Sequence, residues 1–169
     1  RCIYSLFEHT KFTDMFCVIG DDFFKIFKFV QDQKEFFPKT KNPFSKEKES
    51  KSIIRHSQNY LSNCLLKDEI IILGTDKGEL LVISQGLEYK GVLQNSPRGK
   101  YRVEVIIRKD NGFIVGGSRG KIYVYTKPEN KKKSTHYVYI QEQCIEYYAQ
   151  PAANIMSMAF DEDFIFFGL

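Results

Sequence analysis

Residues 70–84, IIILGTDKGELLVIS, recur in kind at residues 113–126 as FIVGGSRGKIYVYT, and this repeat restricts the possible folds more than any other feature of the chain. Gly74 and Gly78 correspond to Gly116 and Gly120, both offset by 42 residues. In each copy an apolar run enters a short polar turn that ends in Gly, then leaves as a second apolar run, which is the pattern of a β-hairpin. The four glycines are expected to serve the turns, because a tight hairpin needs positive φ and a residue without Cβ adopts it freely. A repeat of this period predicts a stacked array.

The second run of each hairpin says how the array is built. Leu80 and Val82 match Ile122 and Val124 on one face, and Leu81 and Ile83 match Tyr123 and Tyr125 on the other. A strand that is apolar on both faces must be covered on both sides. The blades of a propeller meet that need, each small sheet lying on the next around an axis. The expected fold is therefore all-β: a partial WD-repeat-like β-propeller of about three complete four-stranded blades plus the start of a fourth, with helix nearly absent. Three and a half blades form an open arc.

Taken in order, the first blade covers about 1–37, with strands at 2–8, 15–20, 23–30 and 34–37 and an Asp21-Asp22 turn in place of glycine. Residues 38–59 carry two prolines, many lysines and few apolar groups, and read as an inserted basic loop. The second blade covers 60–93 and the third about 101–140. Residues 141–154 are open between strand, short helix and loop. A fourth blade begins at 155–169, and the chain ends inside its hairpin, so a piece of a longer protein is expected, because an unpaired apolar edge invites aggregation.

Composition narrows the function classes. With 43% hydrophobic and 15% aromatic residues, rich in Phe and Tyr and without Trp, the 169 residues suit a β-rich globular domain. The net charge of +4 is weaker than dedicated nucleic-acid binders carry. Cys2, Cys17, Cys64 and Cys144 form no CxxC, which argues against a zinc site, and Cys17 and Cys64 lie in apolar runs as reduced core residues. No apolar run is long enough to span a bilayer, and the N-terminal residues lack the apolar core of a signal peptide.

Catalytic chemistry finds no support. His9, His56 and His136 are far apart and show neither HxH nor HExxH spacing. The pieces LGTDKG and VGGSRG lead into strands, whereas a phosphate cradle leads into a helix. The acidic groups Asp21-Asp22 and Asp161-Glu162-Asp163 sit at expected turns. The innermost strands offer little polar chemistry beyond Ser62, Asn63 and Glu104. No enzyme activity, metal or cofactor is expected.

The repeat resembles the WD-repeat propeller family in a degenerate form, since both the WD dipeptide and the GH of that family are missing. Four segments in order, FFKIFKF at 23–29, QNYLSN at 58–63, IILGTDKGELLVI at 71–83 and FIVGGSRGKIYVYTK at 113–127, are similar to a family of WD-repeat proteins of motile axonemes. That family joins tandem propellers to long coiled coils. The resemblance implies a non-catalytic scaffold of the cilium or flagellum, part of a large complex, that supports docking, assembly or regulation of inner dynein arms on doublet microtubules. Its partners would be inner dynein arm components and doublet microtubule proteins, with no nucleic acid and no membrane. Two alternatives stay open: a general protein-interaction propeller of another complex, and a phosphoinositide-binding propeller, which is handicapped because the FRRG motif is absent. No site residue carries over from the family.

Basic residues cluster at 39–55, 98–109 and 127–133, and partner binding is expected in the first of these, at Lys39, Lys41, Lys46, Lys48, Lys51 and Arg55, with Lys131, Lys132 and Lys133 as a second patch. Charges this exposed act over about 8 Å at physiological salt and speed docking more than they hold it. Solvated loops and an apolar surface at the channel mouth are the competing readings.

Overall fold

Among the described residues four antiparallel sheets follow one another along the chain, each a meander in which consecutive strands are neighbours. The computed structural model describes residues 3–8, 15–21, 23–30, 35–38, 58–67, 70–84, 89–128, 139–147, 152–161 and 164–169. The first sheet holds β1 (Ile3–Glu8), β2 (Met15–Gly20), β3 (Phe23–Val30) and β4 (Glu35–Pro38). The second holds β5 (Tyr60–Leu65), β6 (Ile71–Thr75), β7 (Leu80–Ile83) and β8 (Tyr89–Val92). The third holds β9 (Val103–Lys109), β10 (Gly112–Gly117), β11 (Lys121–Thr126) and β12 (Ile140–Glu146), and the fourth pairs β13 (Ser157–Asp161) with β14 (Phe164–Gly168). Among the described residues a single 3-10 turn, Ser118–Gly120, is the only helical element. No described helix is long and apolar enough to cross a membrane.

The two-sided apolar strands do what their pattern requires. Along β6, Ile71 and Leu73 face the first sheet with Cys17, Ile19 and Phe24, while Ile72 faces the third with Val103, Ile106 and Phe113. Along β10 the same alternation turns Phe113 and Val115 toward the second sheet and Ile114 toward the fourth, where Ile155, Met158, Phe160, Ile165 and Phe167 meet it. Three cores thus lie between four sheets, and side chains of the size of Ile71, Ile72 and Leu73 each contribute about 1.5–3 kcal/mol when fully buried. Phe113 stacks on its cross-strand partner Tyr125 at 4.8 Å and meets Tyr139 edge-on at 5.2 Å, so aromatics close the largest of these cores. The first strands β1, β5, β9 and β13 pack in succession along one side, which places them innermost.

The third sheet departs from expectation at its outer edge. Its last strand is β12, Ile140–Glu146, which apart from Ile140 lies in the segment 141–154 that sequence left open between strand, helix and loop. The strand is exposed along nearly its whole length and is held by backbone pairing to β11, with Tyr123 opposite Cys144. It lacks a buried face, and hence the apolar alternation by which strands are recognised.

Candidate interaction face

Each sheet presents two rims, and the rim where the chain passes from sheet to sheet is the more highly organised. There the β6–β7 and β10–β11 turns meet the connectors to the following sheet. Thr75 closes the first turn: its hydroxyl oxygen accepts from the amides of Lys77 at 3.3 Å and Glu79 at 3.0 Å, and its carbonyl accepts from Gly78. Asn59 accepts through its carbonyl from the Asp76 amide at 3.0 Å, donates its own amide to Asp76 Oδ1 at 3.3 Å, and bridges to Asp21 of the first sheet. The third sheet repeats the device: the Ser118 amide donates to the Arg102 carbonyl, and the Arg102 amide donates to Ser118 Oγ, both at 3.1 Å. In each case the residue just before an innermost strand is tied to the hairpin turn of its own sheet.

Connectors are tied to the turns as well. The Arg98 amide donates to the Gly78 carbonyl at 2.8 Å, the Gly120 amide to Ala153, and the Ile155 amide to Gly117. Gly78 and Gly120 have φ of 74° and 62°, as turn glycines should. A Cβ on Gly78 would also sit 2.7 Å from the Tyr101 carbonyl oxygen and 2.8 Å from the Arg98 nitrogen, so the connector could not lie where it does.

Gly74 and Gly116 require a correction, for they are strand residues. Gly74 pairs with Leu80 within β6 and β7, and Gly116 with Ile122 within β10 and β11. A Cβ on Gly74 would fall 2.2 Å from Val103 Cγ1 and 2.5 Å from Ser62 Oγ; one on Gly116 would fall 2.8 Å from Met158 Sδ and 2.9 Å from Ile155 Cγ2. Both glycines let the next sheet approach.

Ser62 and Glu104 are used structurally. Ser62 donates its hydroxyl to the Val103 carbonyl at 2.8 Å, linking innermost strands of adjacent sheets. Glu104 accepts from Arg102 Nε at 2.7 Å. Asn63, on the same strand as Ser62, has both side-chain polar atoms buried with no hydrogen-bond partner, and Gln58 Nε2 is in the same state. Buried phenols clamp the connector between the second and third sheets: Tyr125 donates to the Asn95 carbonyl at 2.7 Å and Tyr101 to the Lys121 carbonyl at 2.8 Å. Burial pushes both phenols above their ordinary range. Burial likewise raises the Cys17 thiol, and raises Cys64 to about 12, so neither is a ready nucleophile. Both thiols are free, as is exposed Cys144.

The sequence-based binding residues Lys39, Lys41, Lys46, Lys48, Lys51, Arg55, Lys131, Lys132 and Lys133 lie outside the described residues, as do Cys2, His9, His56, His136, Asp22, Glu162 and Asp163. The described residues that bound the two basic segments sit at opposite rims. Asn59, just after the first segment, is on the turn-and-connector rim with Asp76, whereas Lys127, ahead of the second, donates its amide to Asn111 in the β9–β10 turn. Among the described residues no group of three His, Cys, Asp or Glu could hold a metal ion.

The turn-and-connector rim carries a charge pattern of which sequence shows one part, the basic cluster at 98–109, and to which the fold adds Lys77 and Arg119. Its exposed charged residues are Lys77, Arg98, Lys100, Arg102 and Arg119, while its carboxylates Asp76, Glu79, Glu104 and Glu146 are only partly exposed. Lys121 is bound to Glu146 at 2.5 Å, and that hydrogen bond raises its pKa. The opposite rim exposes both signs, with Lys67 and Asp110 paired at 2.7 Å between neighbouring first turns.

No protein-family model matches the chain. Over 127 residues, 75% of its length, it is 37% identical to Cilia- and flagella-associated protein 57 A of Tetrahymena thermophila, and it spans 10% of that relative. The crystal structure of the Cps50 (Swd1) β-propeller domain of Myceliophteria thermophila superposes on 87% of the chain with a TM-score of 0.61 at 11% identity, and the match covers 46% of that structure. The second similarity concerns the fold.

Proposed function

We propose, from the premise that the chain is a WD-repeat β-propeller protein resembling cilia- and flagella-associated protein 57, that it acts as a non-catalytic scaffold of the cilium or flagellum. At finer grain its place is the axoneme, where it supports docking, assembly or regulation of inner dynein arms on doublet microtubules. The similarity that runs through three-quarters of the chain carries this reading. The way the polar groups are used supports the non-catalytic part, since Ser62 and Glu104 on the innermost strands join strands and neighbours. The basic segments with Lys39, Lys41, Lys46, Lys48, Lys51 and Arg55, and with Lys131, Lys132 and Lys133, steer acidic partners.

Two measurements test it. Disrupting the gene of the full-length protein is expected to deplete inner-arm dyneins from isolated axonemes, with the tagged protein retained in the axonemal fraction. A protein confined to the cell body, with arms intact in its absence, overturns the assignment. Reversing the six charges of the 39–55 segment is expected to weaken axonemal retention most at low salt. Unchanged retention assigns that segment to solvation alone.

A further inference from the structure

Two Arg-Gly-Lys triplets, Arg98-Gly99-Lys100 and Arg119-Gly120-Lys121, occupy the same rim in the same unusual backbone state. Arg98 and Gly99 have φ of 53° and 73°; Arg119 and Gly120 have 67° and 62°. Consecutive left-handed residues are the requirement of a type I′ turn, whose first position strongly favours Asn, Asp or Gly. Arginine with its Cβ is poorly suited there, yet Arg98 and Arg119 are the only described residues other than glycine with positive φ. Both side chains are exposed, and Arg98, Lys100 and Arg119 make no ion pair among the described residues.

The triplets are brought to one rim by the backbone. The first is held to the second sheet through Arg98 and Gly78; the second sits in the turn joined to Arg102, which follows the first by two residues after Tyr101. Tyr101 ties them further through its bond to the Lys121 carbonyl. Local conformational preference works against arginine at two positions, and the fold keeps both cations solvent-facing and apart from carboxylates. Residues held against their preference cluster at binding sites.

We infer that the paired Arg-Gly-Lys turns form a docking surface for an acidic polypeptide segment, a second contact beyond the basic loops and independent of the ciliary assignment. Carboxylates spaced along a flexible chain can reach separate cations while avoiding the partly exposed Asp76 and Glu79. A phosphodiester backbone carries a charge on every nucleotide and cannot place neutral units beside those acids. Nucleic acid also wants stacking partners, and the exposed aromatics Phe164 and Phe166 lie on β14.

The test uses the full-length protein and a fluorescent twelve-residue peptide with glutamate at every third position between glycine and serine, with phosphatidylserine-containing vesicles and an oligothymidylate of equal length as the other arms. The variant R98N/R119N supplies the residue that a type I′ turn prefers while removing both charges. It is expected to melt no lower than the parent yet bind the peptide roughly tenfold more weakly at low salt. R98K/R119K, with charge kept, is expected to retain most of the affinity. Lys100→Glu, at an exposed position of ordinary backbone, is expected to weaken peptide binding as well and keeps the test decisive if the asparagine variant fails to fold. Equal peptide affinity in the parent, R98N/R119N and K100E overturns the inference, and tighter binding to the vesicles or the oligothymidylate overturns the choice of partner.

Discussion

Gly74 and Val103 approach so closely that a Cβ on the glycine would lie 2.2 Å from Val103 Cγ1, and this contact sets the spacing between the second and third sheets. Gly116 stands in the same relation to Ile155 and Met158 of the fourth. Beside Gly74, β6 carries Ile71, Ile72, Leu73 and Thr75, and beside Gly116, β10 carries Phe113, Ile114 and Val115 between Gly112 and Gly117, so the close approach of the next sheet rests on the missing side chains of Gly74 and Gly116.

Gly74→Ala is therefore expected to destabilise the protein by about 1–3 kcal/mol, the usual cost of overpacking a closed core. Gly116→Ala should cost less, because its Cβ would meet Met158 Sδ at 2.8 Å and Ile155 Cγ2 at 2.9 Å, milder overlaps than the 2.2 Å at Gly74, and Met158 can change rotamer. Denaturant midpoints of the two variants provide the comparison. A neutral Gly74→Ala would mean that the sheets are free to move apart.

The phenol of Tyr125 spans from the third sheet to the connector leaving the second. Tyr125→Phe keeps the stack on Phe113 and removes only the bond to Asn95, so a loss of about 1 kcal/mol is expected. Tyr101→Phe removes the bond to Lys121 and should cost about as much. Hydrogen exchange at the Ser96 and Arg98 amides should quicken in both variants, since those amides hold the same connector.

How much of this could be read from the chain depended on whether a residue's role was local. Ile71–Thr75 and Leu80–Ile83 declared themselves because alternate residues need cover on opposite faces, and that need is written in each strand alone. Gly74 and Gly78 could not be told apart, since both precede or end the same short turn; one answers to φ and the other to a side chain 29 residues away (74 to 103). Ile140–Glu146 could not be decided between strand, helix and loop because an edge strand bound through its backbone and exposed on nearly every residue leaves no apolar pattern. The cationic rim was legible only in part: the stretch 98–109 stands out as a basic cluster, but Arg98 and Arg119 adopt a conformation their residue type disfavours, and only the contacts of the folded chain bring them to one rim.

Alkaline pH should undo the fold in a defined window. Cys17, Cys64, Tyr101 and Tyr125 all have pKa values raised by burial above ordinary values of 9.0 for the thiols and 10.0 for the phenols. The folded state keeps these protons while the unfolded chain releases them, so stability is fully present below pH 9 and falls as pH rises through 9 and then 10. Each group steepens the fall by up to about 1.4 kcal/mol per pH unit. Urea midpoints measured from neutral pH upward should fall beyond about pH 9, and phenolate absorbance from the two tyrosines should appear only with unfolding. A midpoint flat across this range would mean that the four groups ionise in the folded state.

Asn63 separates a structural from a functional reading of the innermost strands. Its amide nitrogen and oxygen are buried between the first two sheets without a hydrogen-bond partner, whereas its neighbour Ser62 is bonded across to Val103. An unsatisfied buried amide costs about 1–3 kcal/mol of desolvation, and an apolar side chain of similar size escapes that cost. Asn63→Leu is accordingly expected to raise stability by about 1 kcal/mol and leave axonemal retention of the full-length protein unchanged. If the variant is instead less stable, the amide must be bonded to an ordered water in the folded protein. If stability rises while retention is lost, the side chain serves a partner, and the innermost strands belong to the interaction surface.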